Sequence, residues 1–177
     1  QAENTNDILI ALTRQAWGFD LGVKWLYNFP GKILIGDFNG DGLIDIGSFD
    51  SSQTKVSVAL NKGDAFATPD TWITNFNPPS EITTADYNND GLTDVVYYDK
   101  TNGQLFVMLS NGCQFLPPTV YLSGFSLKDS DVILQASDFN GDGANDFYLF
   151  NPYTQKTELA YSTPSFVDLL IKVENGT

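Results

Sequence analysis

Three nine-residue acidic segments carry residue types and a spacing that could bind metal ions. They begin at Asp37, Asp86 and Asp138, and each has Asp, Asn, Asp and Asp at positions 1, 3, 5 and 9, with Gly at position 6. Oxygen side chains in this order, completed by a backbone carbonyl at position 7, match the ligand spacing of a Ca²⁺ loop. The predicted ligands of three Ca²⁺ sites are Asp37, Asn39, Asp41, Leu43 and Asp45; Asp86, Asn88, Asp90, Leu92 and Asp94; and Asp138, Asn140, Asp142, Ala144 and Asp146.

The residues after each acidic loop argue against an EF-hand. An EF-hand requires a bidentate Glu at position 12 and a helix on each side of the loop. Position 12 is Ser48, Tyr97 and Leu149 in the three loops, and none of these residues carries a carboxylate. The segments that follow are short and rich in β-branched and aromatic residues, so they predict strands.

The loops belong to a longer internal repeat. Their first residues are 49 and 52 positions apart, a period typical of solenoids, arrays and propellers. An aromatic pattern with constant spacing accompanies each loop, as in Phe66, Trp72 and Phe76 of the first complete unit. Only the connection into the next loop varies in length, which marks surface loops within residues 29–35, 77–83 and 126–133.

Each unit predicts four antiparallel strands in about 50 residues, the size of one propeller blade. In the first complete unit these are 32–36, 44–49, 55–60 and a strand around Trp72. A flat sandwich is the competing all-β arrangement, but it does not require a regular repeat. The predicted fold class is an all-β β-propeller of four-stranded antiparallel blades. The 177 residues form one domain or part of one, with a half blade at 6–29 and blades at 32–76, 82–125 and 131–173.

The recurring Asp-Phe-Asn-Gly-Asp-Gly-x-x-Asp motif, followed by an apolar strand, resembles the FG-GAP/VCBS repeats of integrin-α-like β-propellers. The resemblance implies that each loop joins the first two strands of a blade and binds one Ca²⁺. The absence of Phe-Gly and Gly-Ala-Pro elements makes the chain more similar to bacterial versions, including propeller regions of SpvB-like and Tc-toxin B-component proteins. The ending 168–176 is similar to the stretch that leads from such a propeller toward an RHS-type shell.

The number of units is an unusual feature of the chain. Residues 6–29 contain only a third and a fourth strand, predicted at 7–12 and 23–27, so the total is three and a half units. Propellers typically close with at least four blades, and an open stack leaves sheet edges exposed. Three explanations remain open: covalent continuation in a longer protein, a homodimer that completes the ring, or an open array capped by another protein.

Composition limits the classes of partner. The net charge is −13, and nine of the 22 acidic residues lie in the three loops. An acidic surface argues against nucleic acid and anionic membranes as partners. No apolar run approaches the roughly 18 residues of a membrane span. Loops of this kind fill where Ca²⁺ is near millimolar, so the expected location is extracellular or at the cell surface.

Catalytic residues are scarce, and we expect no enzymatic activity. The chain has no His and a single Cys, Cys113, which excludes a Cys-His nucleophile. Paired carboxylates could still hydrolyse polysaccharides, with Asp50 and Asp99 as candidates. However, each lies five residues after its loop, where the third unit has Asn151, and Asx residues at one fixed offset predict a turn.

Repeating aromatic residues have two interpretations. Trp25, Trp72 and Tyr121 occupy equivalent positions and could stack on sugars, but their recurrence favours packing of one unit against the next. The second residue of each loop is likewise predicted to point into the core; these residues are Phe38, Tyr87 and Phe139. Trp17 does not repeat and is therefore the better candidate for a ligand or partner contact.

The function predicted from the sequence is a non-enzymatic, calcium-stabilised scaffold for protein interaction or adhesion, within a larger secreted or toxin-like protein. A carbohydrate-binding, lectin-like propeller is the first alternative, with Trp17, Trp25, Trp72 and Tyr121 as candidate contacts. A polysaccharide hydrolase or lyase is the weaker alternative. The sequence does not name the protein or glycan partner.

Overall fold

The computed structural model describes residues 6–14, 18–19, 22–76, 78, 81–127, 132–162 and 172–176. Within these ranges every regular element is a β-strand, so the all-β prediction is confirmed. No helix in the described ranges has the length and apolar character that a membrane crossing needs. The predicted contact residue Trp17 lies outside the described residues.

Three four-stranded antiparallel sheets follow one another along the chain, and each keeps its strands in sequence order. No sheet among the described residues closes on itself. The first sheet contains β5 (Lys32–Gly36), β6 (Asp45–Asp50), β7 (Lys55–Ala59) and β8 (Asp70–Thr74). The second contains β9 (Ile82–Ala85), β10 (Asp94–Asp99), β11 (Gln104–Met108) and β12 (Thr119–Ser123). The third contains β13 (Ile133–Ser137), β14 (Asp146–Asn151), β15 (Lys156–Tyr161) and β16 (Lys172–Gly176).

The segment before the first sheet forms two small pairs of strands. Strand β1 (Ile8–Ile10) pairs with β4 (Val23–Leu26), as expected for the outer half of a unit. Between them lies a short hairpin that the sequence pattern did not predict, formed by β2 (Thr13–Arg14) and β3 (Gly18–Phe19).

The core consists of layers between successive sheets. Leu34, Val56 and Trp72 of the first sheet pack with Val95 and Met108 of the second. A second layer joins the second and third sheets, and a smaller one joins the β1–β4 pair to the first sheet. Burying one apolar sheet face on the next is how such layers are stabilised.

The repeating aromatic residues form these layers, as predicted. Trp72 is buried, and its ring centroid lies 5.2 Å from that of Phe115 in the next unit. Trp25 contacts the equivalent residue Phe66, with ring centroids 5.5 Å apart. Packing rather than ligand contact is therefore the role of Trp72. Tyr121, which is half-buried, lies against Tyr87 at 4.3 Å.

One prediction about the loop aromatics is wrong. Phe38 and Tyr87 are fully buried as expected, but Phe139 is 46% exposed and contacts Tyr148. Phe38 and Tyr87 are covered by the unit that follows each of them, through Phe115 and Phe147. No described sheet follows the third one, so nothing in the described chain covers Phe139.

Candidate metal loops and their surroundings

The three acidic loops connect the first and second strands of the three sheets. Strand β5 ends at Gly36 and β6 begins at Asp45, so the first loop spans the hairpin between them. The same holds for Asp86–Asp94 and Asp138–Asp146. Glycines at position 6 have positive φ (84°, 85° and 91°), which requires a residue without a Cβ for a relaxed turn.

The first Asp of each loop stabilises the turn by accepting hydrogen bonds from backbone amides of the loop. Asp37 accepts hydrogen bonds from the backbone amides of Gly40 at 2.7 Å, Asp41 at 3.2 Å and Gly42 at 2.8 Å. Asp138 receives the same three bonds in the third loop. These amides direct partial positive charge at one carboxylate and fix the position of that carboxylate in the loop.

Positions 3 and 5 lie beside the first Asp. The Asn39 amide nitrogen is 3.0 Å from Asp41 Oδ2, and the amide oxygen accepts from the Asp41 backbone at 3.1 Å. The corresponding side-chain pairs are 2.9 Å apart in the second loop and 2.8 Å apart in the third. If the Asn39 carboxamide turned over to bind a cation, its oxygen would lie beside Asp41 Oδ2, as two ligands of one cation do.

The last Asp of each loop has a structural role that spacing alone did not reveal. Asp94 is fully buried and accepts from the Tyr87 amide at 3.0 Å and the Ser110 amide at 2.8 Å. Asp45 and Asp146 bind the equivalent amides in their own units. This residue therefore ties the loop to the third strand's exit. A carboxylate oxygen has two lone pairs, so a cation could share these oxygens.

The carboxylates of one loop act on each other electrostatically. Burial raises the pKa of Asp94 to about 7, opposed by its amide hydrogen bonds and reinforced by the charges of Asp90 and Asp86. Burial likewise raises the pKa of Asp45, with Asp41 and Asp37 adding to the effect. A bound cation would relieve this repulsion.

The donor chemistry of the loops fits a hard cation such as Ca²⁺, since all candidate ligands are oxygens. In each loop the side chains at positions 1, 3 and 5 lie side by side, and the first and the last Asp both accept hydrogen bonds from backbone amides, as Asp37 and Asp45 do. Among the described residues, no three His, Cys, Asp or Glu side chains are grouped as they would be around a bound metal ion. The seventh residues differ in exposure: Leu43 is exposed, Leu92 is half-buried and Ala144 is buried.

The loops are stacked on one another. The Thr93 amide of the second loop donates to the Asp37 carbonyl of the first at 2.7 Å. Asn145 of the third loop donates through its side chain to the Asp86 carbonyl at the same distance. Position 8 of the second and third loops thus contacts position 1 of the preceding loop, and the three candidate sites share one edge of the stack.

The alternative catalytic residues have a structural role. Asp50 accepts from the Ser52 amide at 2.9 Å, and Asp99 from the Thr101 amide at 2.9 Å. Asn151 accepts from the Tyr153 amide at 2.9 Å in the third unit. The predicted Asx turns, with a bond to the backbone two residues on, are confirmed.

Comparison with known families agrees with this geometry. A family model described as FG-GAP-like repeat matches residues 37–97 and again 86–149, together more than half of the chain. Each match begins at the first Asp of an acidic loop. The chain therefore belongs to the FG-GAP-like repeat family. A search of curated proteins found no match.

Proposed function

We propose that this chain forms part of a calcium-stabilised β-propeller that serves as a non-enzymatic scaffold for protein interaction or adhesion. Membership of the FG-GAP-like repeat family supports a scaffold of this type, and such repeats are typical of extracellular and surface proteins. In this proposal the three four-stranded sheets are blades and the acidic loops lie on one rim. The resemblance to SpvB-like and Tc-toxin B propellers extends the proposal to a larger secreted or toxin-like protein.

The observation that supports the proposal most strongly is that the three loops have the same hydrogen-bond network. In every loop the first Asp accepts the amides of positions 5 and 6, and the last Asp accepts the amide of position 2. A network repeated at three stacked places indicates a structural function shared by the units. A catalytic site would instead be expected at one place with its own residues.

Calcium, when bound, would supply positive charge among carboxylates that otherwise repel one another. The residues proposed to hold it in the first loop are Asp37, Asn39, Asp41, the Leu43 carbonyl and Asp45, with their counterparts in the other two loops. The chain itself contributes the turn geometry through the Asp37 hydrogen bonds. We therefore expect Ca²⁺ to stabilise the packing of the sheets at the edge of the stack that carries the acidic loops.

Thermal unfolding with and without Ca²⁺ tests this function. One site at 100 times its dissociation constant contributes about 2.7 kcal/mol, which for a chain of this size raises the Tm by roughly 5–10 °C. Asp41→Ala should reduce the response, and Asp64→Ala, the same change at an exposed residue outside the loops, should leave it intact. A melting curve that EGTA does not alter would disprove the calcium role.

The first sheet leaves an apolar groove that supports completion of the scaffold by further strands. The groove measures about 430 Å³ and lies between the β1–β4 pair and the first sheet. Ile35 and Ile44 are 60% and 55% exposed there. The equivalent face of the second sheet is covered by the first sheet, since Thr84, the counterpart of Ile35, donates to the Ile35 carbonyl at 2.7 Å. Continuation of the chain or a second copy would supply the missing strands.

Solution mass distinguishes these two sources of strands. A species of 19.5 kDa supports continuation in a longer protein, and a dimer supports a ring completed by two copies. The non-enzymatic part of the proposal is supported by the turn role of Asp50 and Asp99. Activity on polysaccharides that disappears in Asp50→Asn and Asp99→Asn would overturn it.

A further inference from the structure

A polar cleft lies where the first sheet meets the segment that precedes it. Its volume is about 270 Å³, and Asn28, Phe29 and Pro30 form one wall. The opposite wall belongs to the sheet. It is formed by side chains on β6, β7 and β8, which include Ser48, Asp50, Lys55, Ser57 and Thr71.

The same junction is filled with aromatic rings in the next unit. Ser48 and Ser57 face each other across β6 and β7, and the equivalent cross-strand pair in the second sheet is Tyr97 and Phe106. Those two rings are stacked with centroids 4.8 Å apart, and Tyr97 also contacts Phe76, the counterpart of Phe29. The cleft therefore occupies the space that two aromatic side chains fill one repeat later.

The third unit also fills this junction. Its equivalent pair is Leu149 and Glu158, both buried. The Glu158 carboxylate accepts hydrogen bonds from the backbone amides of Ser126, at 2.9 Å, and Leu127. Of the three described junctions, the first alone has a pair of serines at these positions, although the backbone pairing is the same in all three.

Several polar groups in the cleft are available to a ligand. Ser48 is engaged, because its hydroxyl donates to the Pro30 carbonyl, and Asp50 Oδ1 is held by Ser52. Within the described part of the chain, no hydrogen bond involves the side chains of Lys55, Ser57 or Thr71. Each of the three has unused hydrogen-bonding capacity: ammonium donors on Lys55, and hydroxyls on Ser57 and Thr71 that both donate and accept.

We propose that this cleft binds one neutral sugar residue of a glycan. A pyranose presents hydroxyls that donate and accept, which the Ser57 and Thr71 hydroxyls, the Lys55 ammonium and the Asp50 carboxylate can satisfy. Phe29 and Pro30 offer an apolar wall for its C–H face. The opposite charges of Asp50 and Lys55, which both line the cleft, sum to zero and so do not select an ion, and a neutral ligand is favoured. This binding function goes beyond the proposed scaffold and requires no Ca²⁺.

The test follows backbone amide NMR shifts of the full chain during titration with individual neutral monosaccharides, in Ca²⁺ and again in EGTA. Binding of a single sugar is weak, since a dissociation constant near 1 mM corresponds to only about 4 kcal/mol. The titration therefore extends to about 50 mM, so that the site can be saturated. We expect saturable shifts at Lys55, Ser57 and Thr71 with at least one sugar. Because Ca²⁺ is not required, failure of this proposal is distinguishable from failure of the calcium scaffold.

Two variants make the assignment specific. Ser57→Phe introduces the residue of the second unit, fills the cleft and should weaken binding at least tenfold, whereas Ser51→Phe, on the exposed turn outside the cleft, should not. Thr71→Val removes one hydroxyl with little change in shape and should weaken binding about two- to tenfold, even if Ser57→Phe fails to fold. The proposal would be overturned if no sugar caused shifts, or if Thr71→Val bound sugar as the native chain does. It would also be overturned if free glycine, which is a zwitterion, caused the shifts and sugars did not.

Discussion

The Ser110 hydroxyl donates a hydrogen bond to the Phe38 carbonyl at 2.7 Å, across 72 residues of sequence. Ser110 lies just beyond the third strand of the second sheet, and Phe38 is the second residue of the first acidic loop. Both residues are buried. The bond therefore couples the core of one unit to the acidic loop of the unit before it.

Loss of this hydroxyl should weaken the packing of the two units. In Ser110→Ala the Phe38 carbonyl stays buried without this donor, which costs about 1–3 kcal/mol of unfolding free energy. Urea denaturation measures the change, and Ser123→Ala, at an exposed strand position, serves as the control. Equal stability of the two variants would contradict the role assigned to Ser110.

Gly36 should be intolerant of any side chain. A Cβ built at Gly36 would overlap the Thr93 side chain of the next loop. Gly36→Ala should therefore cost about 1–3 kcal/mol through overpacking. At the following junction the equivalent residues are Ala85 and Asn145, so Gly36→Ala combined with Thr93→Asn should recover part of the loss. A double-mutant cycle measures the coupling, and strictly additive effects would refute the steric explanation.

The last Asp of a loop should stabilise the fold even without a metal ion. Asp94→Ala, measured in EGTA, leaves the Tyr87 and Ser110 amides without their acceptor and should cost about 2–5 kcal/mol. Asp90→Ala, in the exposed part of the same loop, should change stability in EGTA far less but should diminish the response to Ca²⁺. If the two variants were equally destabilised in EGTA, the amide-holding role of Asp94 would be wrong.

The turn at Asp50 should add to stability in a pH-dependent way. Hydrogen bonds from Ser52 hold the pKa of Asp50 below its ordinary value of 3.8. Because the folded pKa is below the unfolded one, the contribution is complete above about pH 4 and declines as the pH falls through the folded pKa. The difference in Tm between the native chain and Asp50→Asn should therefore shrink below pH 4. A difference that stays constant down to pH 3 would contradict this assignment.

Most of the fold could be predicted from repeated spacing, because strands locked in register keep their residues at fixed offsets. The first strand was predicted at its observed bounds, Lys32–Gly36, and the other strands of that unit lie within one residue of their predicted positions where bounds were given. The short β2–β3 hairpin was missed because it does not repeat. The exposure of Phe139 was missed because burial of a repeated residue depends on the unit that follows it.

The site was only partly predictable. Spacing identified the candidate loop ligands, but it could not show that Asp45, Asp94 and Asp146 each hold two backbone amides, since one partner is 16 residues away in sequence. The polar cleft did leave a signal. Alignment of the units places Ser48 and Ser57 opposite Tyr97 and Phe106, a loss of two aromatic residues where the other spacings are kept.

The stacked loops also have a consequence for how such a chain could change through recombination. The junction with Gly36 accommodates the β-branched Thr93, whereas the equivalent residue at the junction with Ala85 is Asn145, which is not β-branched and donates to the Asp86 carbonyl. A tandem duplication of the second unit would set Thr93 against the methyl group of Ala85, and deletion of that unit would leave Asn145 beside Gly36. Each unit is therefore matched to its neighbour, and their order is encoded in the contacts between them.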